Sequence, residues 1–204
     1  MEILFATGNP AKVKSISKKI NDEAIKITSL NDLGLELDVE ENGKDSIENA
    51  IIKAKAAFRL SGKVSMGMDN SLFIKELSEE KQPGTHVRRV GGKVLTDSEA
   101  IDYYRQLVRE NGGKLTCRWN YGMAIFDGEH LETYTWNYDD FYFIDDVSKN
   151  INPGYPLDSI SLIPRFNKYL VDLTPEEKLE MKRNEKDEGV SKFVHDYLEK
   201  YCDK

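Results

Sequence analysis

An α/β fold is predicted by three features of this chain. Strand and helix signals alternate from end to end, amphipathic helices separate apolar-alternating runs, and the first dozen residues read as a strand turning abruptly into a helix. The apolar run Ile3-Leu4-Phe5-Ala6 is followed by Thr7-Gly8-Asn9-Pro10. Asn is a favoured N-cap, and Pro suits the first helical position, where no backbone N–H is missed. Val13, Ile16 and Ile20 then recur at helical spacing. The helix start is expected to point its free N–H groups and positive dipole end outward, with Lys12 one turn inside. That geometry binds phosphate-like anions, and it serves equally as a plain helix cap.

Further along, Ile25 to Leu30 alternates like a strand, and Leu35 to Val39 reads as another. Residues 45–61 form the second helix, with Ile47, Ile51, Ala54 and Phe58 as its apolar stripe. Val64 to Asp69 and Leu72 to Leu77 read as two short strands parted by Asn70-Ser71, and the polar 78–95 segment as a long surface loop. Thr96-Asp-Ser-Glu99 is a capping box opening a helix that ends near Asn111-Gly-Gly113. Residues 114–145 are β-rich, with a hairpin signal at Asp127-Gly128-Glu129. Thr174-Pro-Glu-Glu177 starts another helix, and residues 191–202 carry a last amphipathic one.

At 204 residues the chain is long enough for a substantial core, as one domain or as two closely joined lobes. No apolar run approaches the roughly 20 residues of a membrane span, and the start lacks a basic-then-apolar signal segment, so a cytoplasmic location is expected. Cys117 and Cys202 are far apart and form no metal-spacing motif, which points to reduced thiols. A net charge of −7 argues against a surface for polymeric nucleic acid, though local Lys and Arg can still dominate a site for a small anion.

Three segments carry candidate chemistry. Asp45 with Glu48 opens the second helix as a capping-box arrangement, and by composition alone Glu48 is better explained as a cap than as a ligand. Met68-Asp69-Asn70-Ser71 places a carboxylate and small polar residues at a strand end, where a turn-forming Asp is nearly as good an explanation. Pro83-Gly84 precedes His86 and the cations Arg88 and Arg89, which otherwise read as a solvated basic loop.

Together and in this order, these segments resemble the inosine/xanthosine triphosphate pyrophosphatase family. The likeness runs through Thr-Gly-Asn-x-x-Lys (7–12), Glu-Asn-Ala-x-x-Lys-Ala (48–54), Asp69 and Pro-Gly (83–84). It resumes at Tyr155-Pro-Leu-Asp158 ahead of Ile163-Pro164 and ends at Leu173-Thr-Pro-Glu-Glu-Lys178, with 114–150 the least similar stretch.

The resemblance implies a single domain over 1–204 with two lobes around a central substrate cleft, built on an elongated mixed sheet flanked by helices. It implies a homodimer, and hydrolysis of a nucleoside triphosphate to monophosphate and pyrophosphate, with deaminated purine nucleotides (ITP, XTP, dITP) as substrates. Thr7, Gly8, Asn9, Lys12, Lys53, Asn70 and Arg88 would bind the phosphates, since phosphoryl oxygens need cations and N–H donors. Glu48 and Asp69 would hold Mg²⁺ or Mn²⁺ together with the substrate, and Asp69 would be the base for the attacking water. Lys53, five residues from Glu48, should lie around the helix from that carboxylate. Tyr155 would stack on the base, near Asp158, Lys178 and Arg183.

Three departures bear on this expectation. The family's paired aspartates become Met68-Asp69, and the glycine two residues on becomes Ser71. Phe-Gly-Tyr-Asp becomes Tyr155-Pro156-Leu157-Asp158, a rigid Pro replacing a flexible Gly. Ser-His-Arg after Glu-Glu-Lys becomes Lys182-Arg183-Asn184, where Arg183 serves only with a one-residue shift. The phosphate end is therefore better preserved than the base-reading end, so a relaxed purine preference is expected. The alternatives are a catalytically weakened nucleotide-binding or sensor protein, and a phosphatase acting on other phosphate esters. His86, His130 and His195 are scattered and suit surface or capping roles. Asp139, Asp140, Asp145 and Asp146, alternating with Tyr138, Phe141, Tyr142 and Phe143, read as a solvated strand edge whose aromatics belong to the core or to a dimer interface.

Overall fold

The computed structural model describes residues 1–184 and 188–202, without the side chains of 182–184 and 188. In chain order the elements are β1 (Glu2–Phe5), α1 (Pro10–Ile20), β2 (Lys26–Ser29), α2 (Ser46–Ser61), β3 (Ser65–Ile74), β4 (Arg89–Val90), β5 (Lys93–Val94) and α3 (Asp97–Glu110). They continue with β6 (Lys114–Phe126), β7 (Leu131–Ile144), β8 (Ser161–Ile163), β9 (Lys168–Tyr169), α4 (Pro175–Asn184) and α5 (Glu188–Tyr201). Seven strands form one mixed sheet in the order β2-β1-β3-β6-β7-β8-β9. β1 pairs in parallel with β2 and β3, whereas β8 pairs antiparallel with β7 and β9. The α/β fold with an elongated mixed sheet flanked by helices is what the sequence predicted.

The chain divides into two compact units. The first comprises Met1–Asn70, Tyr121–Trp136 and Lys186–Lys204. Its core packs Ile3 and Phe5 of β1 with Ile16 and Ile20 of α1, Met66 of β3, Met123 and Ile125 of β6, and Val190, Val194 and Tyr197 of α5. Asn9 caps α1, with Pro10 at its first position, and Asn21 ends the helix in the left-handed region at φ 50°. Asp45 caps α2 by accepting from the N–H groups of Ile47 and Glu48.

Of the predicted stripe Ile47, Ile51, Ala54 and Phe58, only Ala54 belongs to the buried face of α2. That face is built from Ser46, Asn49, Ala50, Lys53, Ala54 and Ala57, small and polar residues recurring every three or four positions, with Ala56 buried beside it. The reason is close approach to the sheet. A Cβ on Gly67 of β3 would lie 2.0 Å from the Ala50 carbonyl oxygen, and one on Gly122 of β6 would lie 2.6 Å from that of Ser46. Helix backbone thus rests on bare strand backbone, and bulky side chains are pushed to the flanks, where Phe58 meets Phe126 edge-on at 5.2 Å.

The second unit comprises Ser71–Asn120 and Asn137–Glu185. Its core joins Leu72 and Ile74 to Ala100, Ile101, Tyr104 and Val108 of α3, and to Phe141, Phe143, Leu157, Ile160 and Ile163. The capping box predicted at α3 is present, and the predicted start of α4 is closed in the same way. Thr96 and Glu99 bond reciprocally at α3, as do Thr174 and Glu177 at α4. Phe141 and Phe143 of the aromatic stripe are core residues, whereas Asp139 and Asp140 are exposed and Asp145 pairs with Arg105 and Arg109.

Three expectations are corrected. Val64 to Leu77 holds one continuous strand, β3, because Asn70 and Ser71 stay extended within the ladder. Leu35 to Val39 is no strand: Leu35 and Leu37 pack on Leu4, Leu30 and Ala57 through side chains while their backbone runs irregularly. The 78–95 segment contains a short ribbon, β4 with β5, turned by Gly91 and Gly92 at positive φ. The histidines do take surface and capping roles. His130 closes the β6–β7 turn on Asp127, and His195 joins α5 to Asp22. Cys117 and Cys202 form no disulfide with each other.

Candidate active site

In the first unit the site begins where β1 ends. The Asn9 side chain accepts from the Ala11 N–H at 2.9 Å, Thr7 Oγ1 accepts from the Asn9 N–H at 3.1 Å, and the N–H groups of Lys12 and Val13 reach the Asn9 carbonyl. The turn therefore satisfies most of its own donors. Free N–H groups pointing outward were expected here, and among the N–H groups of Asn9, Ala11, Lys12 and Val13 the structure shows none. Positive charge comes from Lys12 instead. Its Nζ donates to Asn70 Oδ1 at 3.5 Å, and burial together with the nearby Lys53 ammonium lowers its pKa, with Asp69 and Glu41 opposing. Gly8, exposed at the tip of the turn, accepts at its carbonyl from Asn31.

Asp69 is the centre of the group. Its side chain faces α2, where Asn49 and Lys53, four residues apart, share one face. Asn49 Nδ2 donates to Asp69 Oδ2 at 2.8 Å, and Lys53 Nζ donates to Oδ1 at 3.1 Å. Lys53 also pairs with Glu41 at 3.0 Å. Two ammonium groups, two carboxylates and two carboxamides thus converge in Lys12, Lys53, Glu41, Asp69, Asn49 and Asn70.

Glu48 does not join them through any hydrogen bond. It is exposed, and its Oε2 accepts from the Lys44 N–H at 2.8 Å, closing the start of α2. The capping explanation thus describes its place, and Lys53 lies around the helix from it as expected. The second carboxylate on Lys53 is Glu41, which sequence reasoning missed. It sits in irregular chain, where no periodicity marks it. Asn49 was missed as well, although its i, i+4 relation to Lys53 was readable.

Met68 points the other way. Alternation along β3 sends it with Met66 toward the α1/α5 core, where it packs as a partly buried apolar residue.

A second group forms in the second unit. Asn152-Pro-Gly-Tyr155 is a tight turn closed by the Tyr155 N–H on the Asn152 carbonyl, with Gly154 at φ 82°. Asn152 Nδ2 donates to Asp158 Oδ2 at 3.0 Å. Burial pushes the Asp158 carboxyl up to about 6, with the Asn152 bond and the Lys178 charge pulling it down. Burial and the Asp158 charge raise the Tyr155 phenol. Tyr155, Asp158 and Lys178 therefore lie within electrostatic reach of one another. Arg88 is fixed by its surroundings: it donates to the Leu95 carbonyl and pairs with Asp97 at 2.8 Å. Asp97 in turn accepts from the Gly154 N–H at 3.2 Å, so Arg88 is tied to the Tyr155 turn. The side chain of Arg183 lies outside the described residues.

Among the described residues, no three His, Cys, Asp or Glu side chains group as metal ligands. No helix among them is long and apolar enough to cross a membrane.

The Ham1 family model matches residues 3–139, the part of the chain that carries the Asp69 group. The dITP/XTP pyrophosphatase of Bacillus subtilis (strain 168) is 27% identical over 179 residues, covering 87% of this chain and 88% of that one. The dITP/XTP pyrophosphatase of Thermoanaerobacter pseudethanolicus is 29% identical over 182 residues, with 87% and 88% covered. Among solved structures, a HAM1 protein from Coxiella burnetii superposes with a TM-score of 0.74 at 24% identity, covering 96% of this chain and 99% of that one. The Staphylococcus aureus Ham1 protein gives 0.73 at 20% identity, over 96% and 100%. At these identities the structural likeness is one of fold.

Proposed function

This chain belongs to the Ham1 family, and from that premise we propose that it is a nucleoside triphosphate pyrophosphatase. It hydrolyses aberrant purine nucleotides of the dITP/XTP kind to monophosphate and pyrophosphate. The relatives with which it shares most of its length carry that activity in their names. The observation that supports the chemistry best is the clamped carboxylate of Asp69, held at one oxygen by Asn49 and at the other by Lys53.

A carboxylate oxygen has two lone pairs, so each Asp69 oxygen retains an acceptor site after these bonds. In the proposed reaction Asp69 takes the proton from the attacking water, and its fixed orientation removes a search over rotamers. Lys12 and Lys53 hold phosphate oxygens, and the Asn70 carboxamide adds a donor. Phosphoryl transfer asks for little else than positioning and charge stabilisation, which this set supplies. By the family resemblance, Tyr155, Asp158 and Lys178 contact the base, with Arg183 beside them. Arg88, already bound to Asp97 and Leu95, serves best as a fixed positive charge.

The donor set fits a hard divalent cation that arrives with its phosphates. Such an ion takes one or two carboxylates and completes its shell with phosphate oxygens and water. Asp69 and Glu41, both on Lys53, are the carboxylates that would hold Mg²⁺ or Mn²⁺. Glu48, spent on the helix start, is the weaker candidate. The ion supplies neutralisation of phosphate charge. A homodimer completes the proposal, on the family resemblance alone.

The test is a panel of nucleoside triphosphates with Mg²⁺, read by pyrophosphate and monophosphate release. Equimolar pyrophosphate and monophosphate from ITP, XTP or dITP is expected. Turnover spread over several purine bases supports the relaxed preference, and exclusive ITP and XTP turnover removes that part alone. Release of inorganic phosphate instead of pyrophosphate overturns the reaction. Absence of turnover with a nucleotide-dependent rise in Tm identifies a binding protein.

A further inference from the structure

Asn49 is fully buried, at 0% exposure, and a buried carboxamide must find partners for both of its ends. One partner fixes its orientation. The Gly43 backbone N–H, which can only donate, lies 2.8 Å from Asn49 Oδ1. The amide end is thereby turned toward the sheet, where it meets Asp69 Oδ2 at 2.8 Å. Gly43 is needed for this approach, because a Cβ there would lie 2.7 Å from both Asn49 Oδ1 and the Glu48 Cβ. Two residues before Gly43 stands Glu41, whose carboxylate is on Lys53. One side chain thus ties the segment bearing Glu41 to the carboxylate on β3.

We propose that Asn49 is a positioning residue that orients the Asp69 carboxylate for catalysis and holds the Glu41 segment in register with it. The inference rests on the proposed pyrophosphatase reaction and goes beyond it. Lys53 makes a single contact to Oδ1, about which the carboxylate can still rotate. The Asn49 amide on the other oxygen removes that freedom. A displacement on the order of 1 Å at a reacting group can cost about 100-fold in rate, so losing this bond acts on turnover more than on substrate binding.

Asn49→Asp separates positioning from plain support of the loop. The substitution keeps the volume and the acceptor for the Gly43 N–H, but it turns an oxygen instead of an N–H toward Asp69. If Asn49 only anchors the loop, the variant loses Tm through its second buried carboxylate beside Asp69 but keeps wild-type kcat once folded. If Asn49 orients Asp69, the variant loses activity despite the intact anchor. The experiment measures kcat and KM for pyrophosphate release, affinity for a non-hydrolysable α,β-methylene triphosphate, and Tm, on wild type, Asn49→Asp and Asn49→Ser. A fall in kcat of about 10–100-fold in both variants is expected, with KM and analogue affinity within about threefold of wild type. If Asn49→Ser does not fold, Asn49→Asp alone decides. Wild-type kcat in Asn49→Asp overturns the inference and leaves the reaction standing, as does a loss confined to KM and analogue affinity. A wild-type protein that releases no pyrophosphate overturns the reaction and this inference with it.

Discussion

Lys53 Nζ stands 3.1 Å from Asp69 Oδ1, with only 11% and 9% of the two side chains exposed. Charges so far out of water persist when each has a partner, and here each has more than one. Lys53 also holds Glu41, and Asp69 also holds Asn49. The pair links helix α2 to strand β3 at the level where the sequence places its acidic motif, so packing of the helix and chemistry of the carboxylate depend on each other.

That dependence is tested at Gly67. Adding a methyl group would place it 2.0 Å from the Ala50 carbonyl oxygen and 2.7 Å from the Ala54 nitrogen, both of them backbone that cannot step aside. Gly67→Ala is expected to destabilise the protein by about 3 kcal/mol, the upper end for overpacking. Variants that still fold should lose turnover as well, because α2 carries Asn49 and Lys53 away from Asp69. Denaturant unfolding with parallel activity measurements checks both effects.

How much of this was legible in the sequence follows from the physics of each signal. Local signals were readable: Asn9, Asp45, Thr96 and Thr174 all open helices, because a cap is decided within four residues. The α2 face was misread because its burial is set by Gly67 and Gly122 on strands far along the chain. Periodicity of large apolar residues then points to the flanks. Asp69 was placed by its motif, but its partner Asn49 was missed although the i, i+4 relation to Lys53 was readable, and Glu41 belongs to an irregular segment that only the fold brings back to Lys53.

Asp158 sets a pH dependence at the base-contacting group. Its carboxyl is pushed up to about 6 by burial, against the pull of Asn152 and Lys178. If the group contacts substrate, KM should change with an inflection near pH 6. Lys178→Met removes one of the opposing influences and should move that inflection upward, and a downward move would contradict the assignment. For stability the sign is the reverse of a paired carboxylate. The folded form binds its proton more tightly than the unfolded chain, so this group's contribution falls as pH rises from about 4 to about 6.

His195 and Asp22 give a second, independent pH signature. The Ser191 carbonyl and then Asp22 raise the His195 pKa, while the His195 contact and the Ala24 N–H lower that of Asp22. The histidine contribution is complete below its unfolded value of about 6.5 and is lost as pH rises through the higher folded value. The aspartate contribution is present above about 4 and is lost as pH falls through its lower folded value. The His195–Asp22 contact is therefore strongest between about pH 4 and 6.5. The Tm difference between wild type and Asp22→Asn should peak in that window and shrink toward pH 9.

The most direct test of the central claim is pyrophosphate release by Asp69→Asn beside wild type, with saturating Mg²⁺ and the best nucleotide from the panel. A carboxamide keeps the size of the side chain but cannot accept the proton from water. Removing a general base typically costs 10²–10⁴-fold, so a fall of about 100-fold or more in kcat is predicted, with a folded protein by Tm. Wild-type turnover in Asp69→Asn would contradict the assignment of Asp69 as the base.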